Sequence, residues 1–221
     1  MKKNKRPSFG TWLTRPDPAI TELMASSVHF SWLTVDLEHS TIDLQQAENM
    51  IRIIQLCGKE AYVRLSQNDP VQIKRVLDAG ADGIIVPMVN SRAEVLSALN
   101  ALHYPPKGTR GVGLARAQRY GLSFKHYRDA IEPKLKLFIQ IEHKDAVECI
   151  DEIFSTGGLS GYFIGPYDLS ASLGRPGDFG NTRLCRYLAA VKKAGERHGV
   201  PAGFHAVEPD AALIRGKIRE G

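Results

Sequence analysis

Short apolar segments of four to eight residues recur along the chain, each bounded by turn or charged residues. Segments of this length that are apolar on both faces are typical of strands covered on both sides of a sheet. The candidate strands are residues 9–13, 30–37, 61–65, 83–87, 135–141, 161–164 and 201–204. The pattern therefore predicts seven strands.

The stretches between these segments carry apolar residues at helical spacing, as at Val71, Ile73, Val76 and Leu77. Residues that favour helix ends flank these stretches. The predicted N-caps are Asp17, Asp69 and Ser91, and the predicted C-terminal stops are Gly58, Gly80 and Gly199. Strict alternation of strands and helices predicts right-handed β-α-β units and a parallel sheet.

The loops decide between an open sheet and a barrel. A dinucleotide-binding sheet would carry Gly-x-Gly-x-x-Gly after its first strand, and this sequence does not. Polar residues follow several strands instead, so we predict an α/β fold of the (β/α)8 TIM-barrel class. We interpret residues 1–8 as a basic N-terminal tail and residues 9–221 as a single barrel domain.

The expected barrel lacks its eighth strand and last helix, because the sequence ends at Gly221 after the seventh strand and helix. An open barrel would expose two sheet edges. We therefore expect a chain that is incomplete at its C terminus, or a gap that a partner subunit or an extra N-terminal element covers. Residues 104–134 form a long insertion, for which we predict a role as a lid or subunit contact.

Composition excludes several classes of function. The 221 residues are 43% hydrophobic and 24% charged, as in a globular protein, and no apolar run reaches the roughly 18 residues of a membrane helix. Four cations in residues 2–6 account for most of the net charge of +5, so we expect no nucleic-acid binding. The three cysteines form no Cys-x-x-Cys pair, and we interpret them as buried apolar residues of a cytoplasmic protein.

The ends of the second and third strands carry candidate catalytic residues. His39 follows Asp36 by three positions, and a carboxylate near an imidazole raises its basicity. The alternative is a structural histidine. Arg64 stands within an apolar run, where a guanidinium must find an anion. That anion is either an acid on a neighbouring strand or a substrate carboxylate or enolate.

Glu142 and Asp168 follow the fifth and sixth strands, one β-α unit apart, so we expect both carboxylates at the same end of the barrel. Two converging carboxylates repel unless one is protonated or a cation lies between them. Mg²⁺ or Mn²⁺ suits such oxygen ligands. The alternative is that Asp168 only caps a helix. With free amides after Gly165-Pro166, the set suits enolate chemistry on a small oxo acid.

Several motifs follow one another along the chain: Asp36-Leu37-Glu38-His39, Val63-Arg64, Leu77-Asp78-Ala79-Gly80-Ala81, Val86-Pro87-Met88-Val89, residues 104–113, Gln140-Ile141-Glu142 and residues 165–174. Together they resemble the HpcH/HpaI aldolase family of metal-dependent 2-oxo-acid aldolases, and the resemblance covers residues 9 to about 209. No single motif suffices, but their combination in this order is specific. Tyr167 departs from the pattern, because the family commonly has a small residue there.

The resemblance implies a role for each matching position. His39 would be the acid/base residue, Asp78 the acid that raises its basicity across a subunit boundary, and Arg64 the arginine that stabilises the transition state. Glu142 and Asp168 would bind the metal, with Co²⁺ as a further candidate ion. Gln140 and the backbone at Tyr167 and Asp168 would contact pyruvate. The family also implies a homohexamer, a trimer of dimers.

The sequence therefore leads to one preferred function and two alternatives. The preferred function is a lyase that reversibly cleaves a 4-hydroxy-2-oxo acid to pyruvate and an aldehyde through a metal-stabilised enolate, with His39 tuned by Asp78 or Asp36. One alternative is a metal-dependent lyase of acyl-CoA thioesters, of the citryl- or malyl-CoA type. The other is a barrel without catalysis that serves as an interaction subunit.

Overall fold

A computed structural model describes residues 7–206 and 210–220. Seven parallel strands form one curled sheet in chain order, and each strand pairs with the next. The strands are β1 (Gly10–Leu13), β2 (Trp32–Asp36), β3 (Glu60–Arg64), β4 (Gly83–Val86), β5 (Lys136–Ile141), β6 (Gly161–Ile164) and β7 (Ala202–Gly203). All seven predicted strands are confirmed, and the sheet is an incomplete TIM barrel, open between β1 and β7.

Helices connect the strands in the expected alternation. They are α1 (Pro18–Ala25), α2 (Leu44–Leu56), α3 (Pro70–Asp78), α4 (Arg92–Leu102), α5 (Phe124–His126), α6 (Lys144–Glu148), α7 (Ile150–Ser155), α8 (Pro166–Ser172), α9 (Thr182–His198) and α10 (Ala211–Glu220). The predicted N-caps Asp17, Asp69 and Ser91 accept hydrogen bonds from their first turns. The predicted stops Gly58, Gly80 and Gly199 have positive φ, as expected.

The inner face of the barrel is filled by aromatic rings. Rings from five strands touch in series, with centroids 5.2–6.0 Å apart, in the order Trp32, Tyr62, Phe138, Phe163 and Trp12. Because side chains alternate along a strand, the next inward residues lie above these rings towards the carboxyl ends. Arg64 and Gln140, which follow Tyr62 and Phe138 by two residues on the inner face, are polar and belong to the candidate site. The aromatic layer is therefore the floor of that site.

Glycines on the inner face make room for this layer. A Cβ at Gly83 would lie 2.6 Å from the backbone oxygen of Lys136 on the neighbouring strand, and a Cβ at Gly203 would lie 2.4 Å from the Phe163 ring. Real Cβ atoms do not approach other atoms this closely, so a side chain at either position requires the strands or rings to shift.

The 104–134 insertion is anchored by a buried arginine. The Arg110 guanidinium donates to Asp78 Oδ1 at 2.6 Å and to the Tyr127 hydroxyl at 3.0 Å, and it lies over the Tyr104 ring. Exposed apolar side chains, among them Leu114 and Leu122, remain on its outer surface. A role for this insertion as a lid or subunit contact stays a prediction.

The composition also led to expectations about the basic tail, membrane-spanning helices and the cysteines. Residues 1–6 of the basic tail lie outside the described residues. Among the described residues, no helix combines the length and the apolar character needed to cross a bilayer. The prediction of buried cysteines is wrong for Cys185, which is exposed on α9, whereas Cys57 and Cys149 are partly buried. Helical spacing alone did not reveal that position 185 lies on the outer face of its helix.

Substitution Gly83→Ala should lower the free energy of unfolding by about 1–3 kcal/mol, because the added methyl group meets backbone of the next strand. Thermal unfolding measures this loss. Gly216→Ala is the matched control, since a Cβ at position 216 in α10 has open space and alanine favours a helix. An equal loss of stability in both variants would contradict the account of the inner face.

Candidate active site

The carboxyl ends of β2, β3, β5 and β6 bring together most of the residues predicted from the sequence. Asp36 and Arg64 are the last residues of β2 and β3, where they are register partners. Glu142 directly follows β5. Asp168 lies in the first turn of α8, just after β6. These positions form the carboxyl-end face, where TIM-barrel enzymes place their active sites.

Arg64 is held by carboxylates on two sides. Its Nε donates to Asp36 Oδ1 at 2.9 Å and its Nη2 to Asp36 Oδ2 at 2.5 Å, while Nη1 lies 3.1 Å from Glu38 Oε2. The guanidinium carbon lies 4.7 Å from the centre of the Trp12 ring, in a cation–π contact. The strand-neighbour alternative for the Arg64 anion is thus observed, and contact with a substrate stays a prediction.

Asp36 is ionised and committed to local structure. Burial by itself would raise its pKa, but the hydrogen bond and charge of Arg64 outweigh burial and hold the pKa below its usual value. Asp36 Oδ1 also accepts the backbone N–H groups of Glu38 and His39. These bonds fix the chain where it leaves β2. Asp36 therefore positions the backbone of His39, and its carboxylate makes no contact with the imidazole.

His39 lies at the rim with an exposed side chain. Its Nε2 is 3.9 Å from Glu38 Oε2, and Glu38 in turn contacts Arg64. Burial is the largest cause of a raised pKa at Glu38, opposed by Arg64 and His39 and reinforced by Asp36 and Asp168. Glu38, to which the sequence analysis assigned no role, is therefore the carboxylate nearest to the imidazole among these site residues.

Glu142 is the most perturbed acid of the site. It is 3% exposed, and its Oε1 accepts one long hydrogen bond, from the Met88 backbone at 3.4 Å. Burial, followed by the negative charges of Glu38 and Asp168, raises the pKa of Glu142 to about 7. The donor of this hydrogen bond is Met88, a non-glycine residue with φ of 51° that lies two residues after the end of β4. Such a conformation costs roughly 1–3 kcal/mol and often marks a functional position.

Asp168 keeps its carboxylate free. The helix α8 begins after Gly165, which is the N-cap residue, so the alternative that Asp168 caps this helix is wrong. Among the described residues, the exposed Asp168 side chain has no hydrogen-bond or ion-pair partner. A Cβ at Gly165 would lie 2.8 Å from Glu142 Cγ, so glycine here lets β6 approach the Glu142 side chain.

Gln140 and Tyr167 occupy different surroundings. Gln140 is buried on the inner face of β5, and its Oε1 has no hydrogen-bond partner among the described residues. A buried amide oxygen without a protein partner is costly, so this oxygen is suited to accept a hydrogen bond or to coordinate a cation. The Tyr167 ring is 56% exposed and packs edge-on against Phe179, with centroids 4.9 Å apart. The bulk of Tyr167 therefore lies against the loop before α9.

Asp78 is the one predicted site residue that the fold places elsewhere in the chain. The first turn of α3 follows the carboxyl end of β3 and so lies near the site. Asp78 is the last residue of this nine-residue helix, so the length of the helix, about 12 Å, separates Asp78 from the site. Its Oδ1 binds Arg110 of the insertion. Within one chain Asp78 does not contact His39, and its action on the His39 of a neighbouring subunit stays a prediction.

The sequence analysis assigned no role to four residues near the site: Glu38, Trp12, Met88 and His205. Glu38 and Met88 stand within motifs of the family resemblance, and the position of Glu38 follows from the two-residue alternation after Asp36. The other three depend on contacts between distant segments or on backbone conformation. The Trp12 ring stacks on the His205 ring, with centroids 5.1 Å apart and planes at 24°.

The donor set fits a hard divalent cation. Glu142 and Asp168 offer carboxylates in an acid-rich setting, and Gln140 Oε1 is a buried oxygen without a hydrogen-bond partner among the described residues. Glu38 Oε2 is also buried there, in an ion pair with Arg64. Within residues 7–206 and 210–220, no three His, Cys, Asp or Glu side chains are placed to hold an ion by themselves. Mg²⁺ commonly binds through one or two carboxylates and completes its shell with water and substrate oxygens.

A parallel barrel with an acid-rich carboxyl-end face and one arginine held among the acids defines a barrel enzyme rather than a dinucleotide-binding sheet. Residues 8–221 match the model of the HpcH/HpaI aldolase/citrate lyase family. The chain belongs to this family, which confirms the resemblance and the assignment to the carbon–carbon lyases.

Two named relatives are similar over most of the chain. The 2-keto-3-deoxy-L-rhamnonate aldolase of Escherichia coli (strain K12) is 35% identical over 206 residues, which covers 92% of this chain and 76% of that protein. The hydroxypyruvate/pyruvate aldolase of Sagittula stellata is 36% identical over 226 aligned positions, covering 94% of this chain and 88% of the relative.

Solved structures agree with the fold. A HpcH/HpaI aldolase/citrate lyase family protein from Burkholderia cenocepacia J2315 superimposes with a TM-score of 0.90 and 30% identity, covering 98% of this chain and 85% of that one. The protein CitE from Mycobacterium tuberculosis, crystallised with magnesium and acetoacetate, shares the fold with a TM-score of 0.63 at 17% identity, covering 100% of this chain and 81% of its own.

The raised pKa of Glu142 predicts a pH-dependent stability. Its pKa is about 7 in the folded state against an ordinary 4.5, so the contribution of the protonated group is lost as pH rises from about 4.5 through 7. In EDTA, the stability of Glu142→Gln relative to the parent should therefore increase over this range, by up to about 3 kcal/mol. Denaturant unfolding at pH 5 and pH 8 measures this difference.

Glu152→Gln, which changes an exposed carboxylate on α7, is the control and should show no comparable change between the two pH values. If Glu142→Gln behaves like this control, the Glu142 carboxylate is ionised throughout and the burial argument fails.

Proposed function

We propose that this enzyme is a divalent-metal-dependent aldolase that reversibly cleaves a 4-hydroxy-2-oxo acid to pyruvate and an aldehyde. The observation that supports this most directly is the Glu142 carboxylate, buried at the end of β5 and surrounded by the like charges of Glu38 and Asp168. An excess of buried acid that its neighbours do not neutralise favours binding of a cation. A 2-oxo acid is a substrate that such a cation could bind together with the protein.

Glu142 and Asp168 would hold Mg²⁺ or Mn²⁺, with Co²⁺ as a further candidate. When bound, the ion would polarise the 2-oxo group and stabilise negative charge that develops on its oxygen. Gln140 would orient the 2-oxo acid, together with the backbone N–H groups of Tyr167 and Asp168 at the start of α8. Arg64 would add positive charge beside the same oxygen atoms, because its guanidinium is held in place by Asp36.

Cleavage also needs a group that moves a proton. The proton of the 4-hydroxyl leaves, the bond between C3 and C4 breaks, the aldehyde forms, and the electron pair remains on the three-carbon fragment as an enolate. Protonation at C3 then gives pyruvate. His39 is the residue proposed to carry the 4-hydroxyl proton, because its imidazole is at the exposed rim and lies 3.9 Å from Glu38. Water can bridge the ring and the substrate there.

Glu142→Ala and Asp168→Ala should each remove metal-dependent turnover, because each deletes one of two proposed ligands. The measurement is pyruvate release, coupled to lactate dehydrogenase, from a panel of 4-hydroxy-2-oxo acids. The parent protein is assayed before and after EDTA and with Mg²⁺ or Mn²⁺ restored. Activity should fall by at least about a hundredfold in each variant, in line with the loss of a metal and its charge stabilisation.

Glu152→Ala is the matched control and should keep parental activity, since residue 152 is an exposed acid on α7. Near-normal activity of Glu142→Ala would sink the metal assignment. A parent protein that is folded but inert across the panel would instead favour the acyl-CoA thioester lyase, which is tested with citryl- and malyl-CoA.

We further propose a homo-oligomer, in which Asp78 of one subunit raises the basicity of His39 of another. The structure is compatible with this arrangement, because Asp78 lies away from the site of its own chain and only its Oδ1 is bound by Arg110. Its side chain is 17% exposed, so part of it reaches the surface next to the insertion.

Co-expression of His39→Ala with Asp78→Ala tests the shared site. Each variant alone should be inactive, whereas the mixed oligomer should recover about a quarter of parental activity, the share of sites that combine two intact residues from different copies. Differently tagged copies allow isolation of the mixed species. Absence of recovery in a mixed oligomer would show that His39 and Asp78 do not act across a subunit boundary.

A further inference from the structure

The open side of the barrel is bridged by two rings. β1 and β7 are the edge strands of the sheet, and Trp12 of β1 stacks on His205, which follows β7 by two residues. The ring centroids are 5.1 Å apart and the planes are 24° from parallel. This contact joins the aromatic layer to the segment after β7, on the other side of the gap. It places an imidazole at the carboxyl-end mouth of the barrel.

Trp12 connects this imidazole to the charged part of the site. The same indole carries the Arg64 guanidinium at 4.7 Å and packs edge-on against Phe163 at 5.9 Å. The Trp12 ring is thus fixed by neighbours from β3 and β6. His205 is therefore held against a rigid surface beside Arg64, although it lies in a segment with little regular structure of its own.

The polar atoms of His205 are free to bind a ligand. His205 is exposed, and neither ring nitrogen has a hydrogen-bond partner among the described residues. Asp36 and Arg64 pair with each other, and burial raises the pKa of Glu38 and of Glu142. Desolvation and the positive charge of Arg64, opposed by Asp36, lower the pKa of His205, which favours the neutral ring.

A neutral imidazole has one N–H donor and one nitrogen acceptor. A hydroxyl group is the matching ligand, since it also donates and accepts, whereas a carboxylate only accepts. The charged groups described above are suited to the 2-oxo acid and the metal. The imidazole on Trp12 is an exposed polar group with free hydrogen-bonding capacity at the mouth of the barrel, and it is suited to an uncharged portion of the substrate.

We propose that His205 is a specificity-determining residue that recognises a hydroxyl group of the substrate outside the 2-oxo acid group. The inference rests on the proposed aldolase function. The hydroxyl can come from either half of the product: from C3 of the 2-oxo acid, as in hydroxypyruvate, or from the aldehyde. Both sources present the same chemistry to the imidazole, and a substrate panel distinguishes them.

The experiment measures aldol addition by the full chain with Mg²⁺, using two pairs of substrates that each differ by one hydroxyl group. Pyruvate is compared with hydroxypyruvate at constant aldehyde, and propanal with 2-hydroxypropanal at constant pyruvate. The quantity is the ratio of kcat/KM for the hydroxylated member to that for the plain member. His205→Phe retains a ring for stacking on Trp12 but removes both nitrogen atoms.

His205→Phe should lower this ratio about three- to tenfold in one of the two pairs, which is the effect of one lost hydrogen bond to a neutral group. The pair that responds identifies which half carries the recognised hydroxyl. His205→Gln, which keeps a donor and an acceptor, should retain most of the ratio. His29→Phe is the matched control, because His29 lies before β2 at the opposite end of the barrel.

Unchanged ratios in both pairs for His205→Phe would overturn the proposal. If that variant does not fold, as judged by thermal unfolding, His205→Leu provides the second substitution without nitrogen atoms and is judged by the same ratios. A parent protein that is inert towards every pair would overturn the aldolase function and this inference with it. A parent that is active but indifferent to His205 substitution would overturn the inference alone.

Discussion

The charge balance at the carboxyl ends of the strands is the constraint on which the site depends. Arg64 is the cation that the fold holds among these acids, and Asp36 neutralises it through two hydrogen bonds. Glu38 also lies 3.1 Å from Arg64, whereas Glu142 and Asp168 have no ion-pair partner among the described residues. Burial, together with the charges of Glu38 and Asp168, raises the pKa of Glu142 to about 7. Removing one partner of a buried ion pair is strongly destabilising, so Arg64 cannot leave Asp36 to neutralise the other acids. The protein retains an acid excess that a ligand must balance.

The aromatic layer below the site explains how this charge is tolerated. Rings from five strands fill the barrel, and glycines such as Gly83 and Gly203 provide the space that the rings and strands need. The layer excludes water from beneath Glu142 and gives Arg64 a flat surface in Trp12. A low dielectric on one side strengthens each charge interaction above it. The aromatic layer and the charged residues above it thus both follow from the two-residue alternation of side chains along the strands.

Local pattern was enough to predict the elements and the face on which the site lies. Apolar segments gave all seven strands, and the spacing of Glu142 and Asp168 placed both acids after neighbouring strands. Contacts between distant segments could not be predicted in this way. The pairing of Asp78 with Arg110 depends on how the insertion folds back on α3, and the left-handed backbone of Met88 leaves no trace in residue type. The position of His205 required knowledge of where two edge strands end.

The same distinction between local and distant contacts explains why Asp36 lies within the site of its own chain, whereas Asp78 lies away from it. Asp36 is adjacent in the chain to the groups that it positions, so its hydrogen bonds to Glu38 and His39 follow from the turn that ends β2. Asp78 stands at the far end of a helix and is fixed by a guanidinium packed over Tyr104. A buried arginine must be paired, so this carboxylate is needed by the insertion whether or not it also serves a neighbouring subunit. One acid orders the site from within the chain, and the other ties the insertion to the barrel at the surface that a second copy would have to approach.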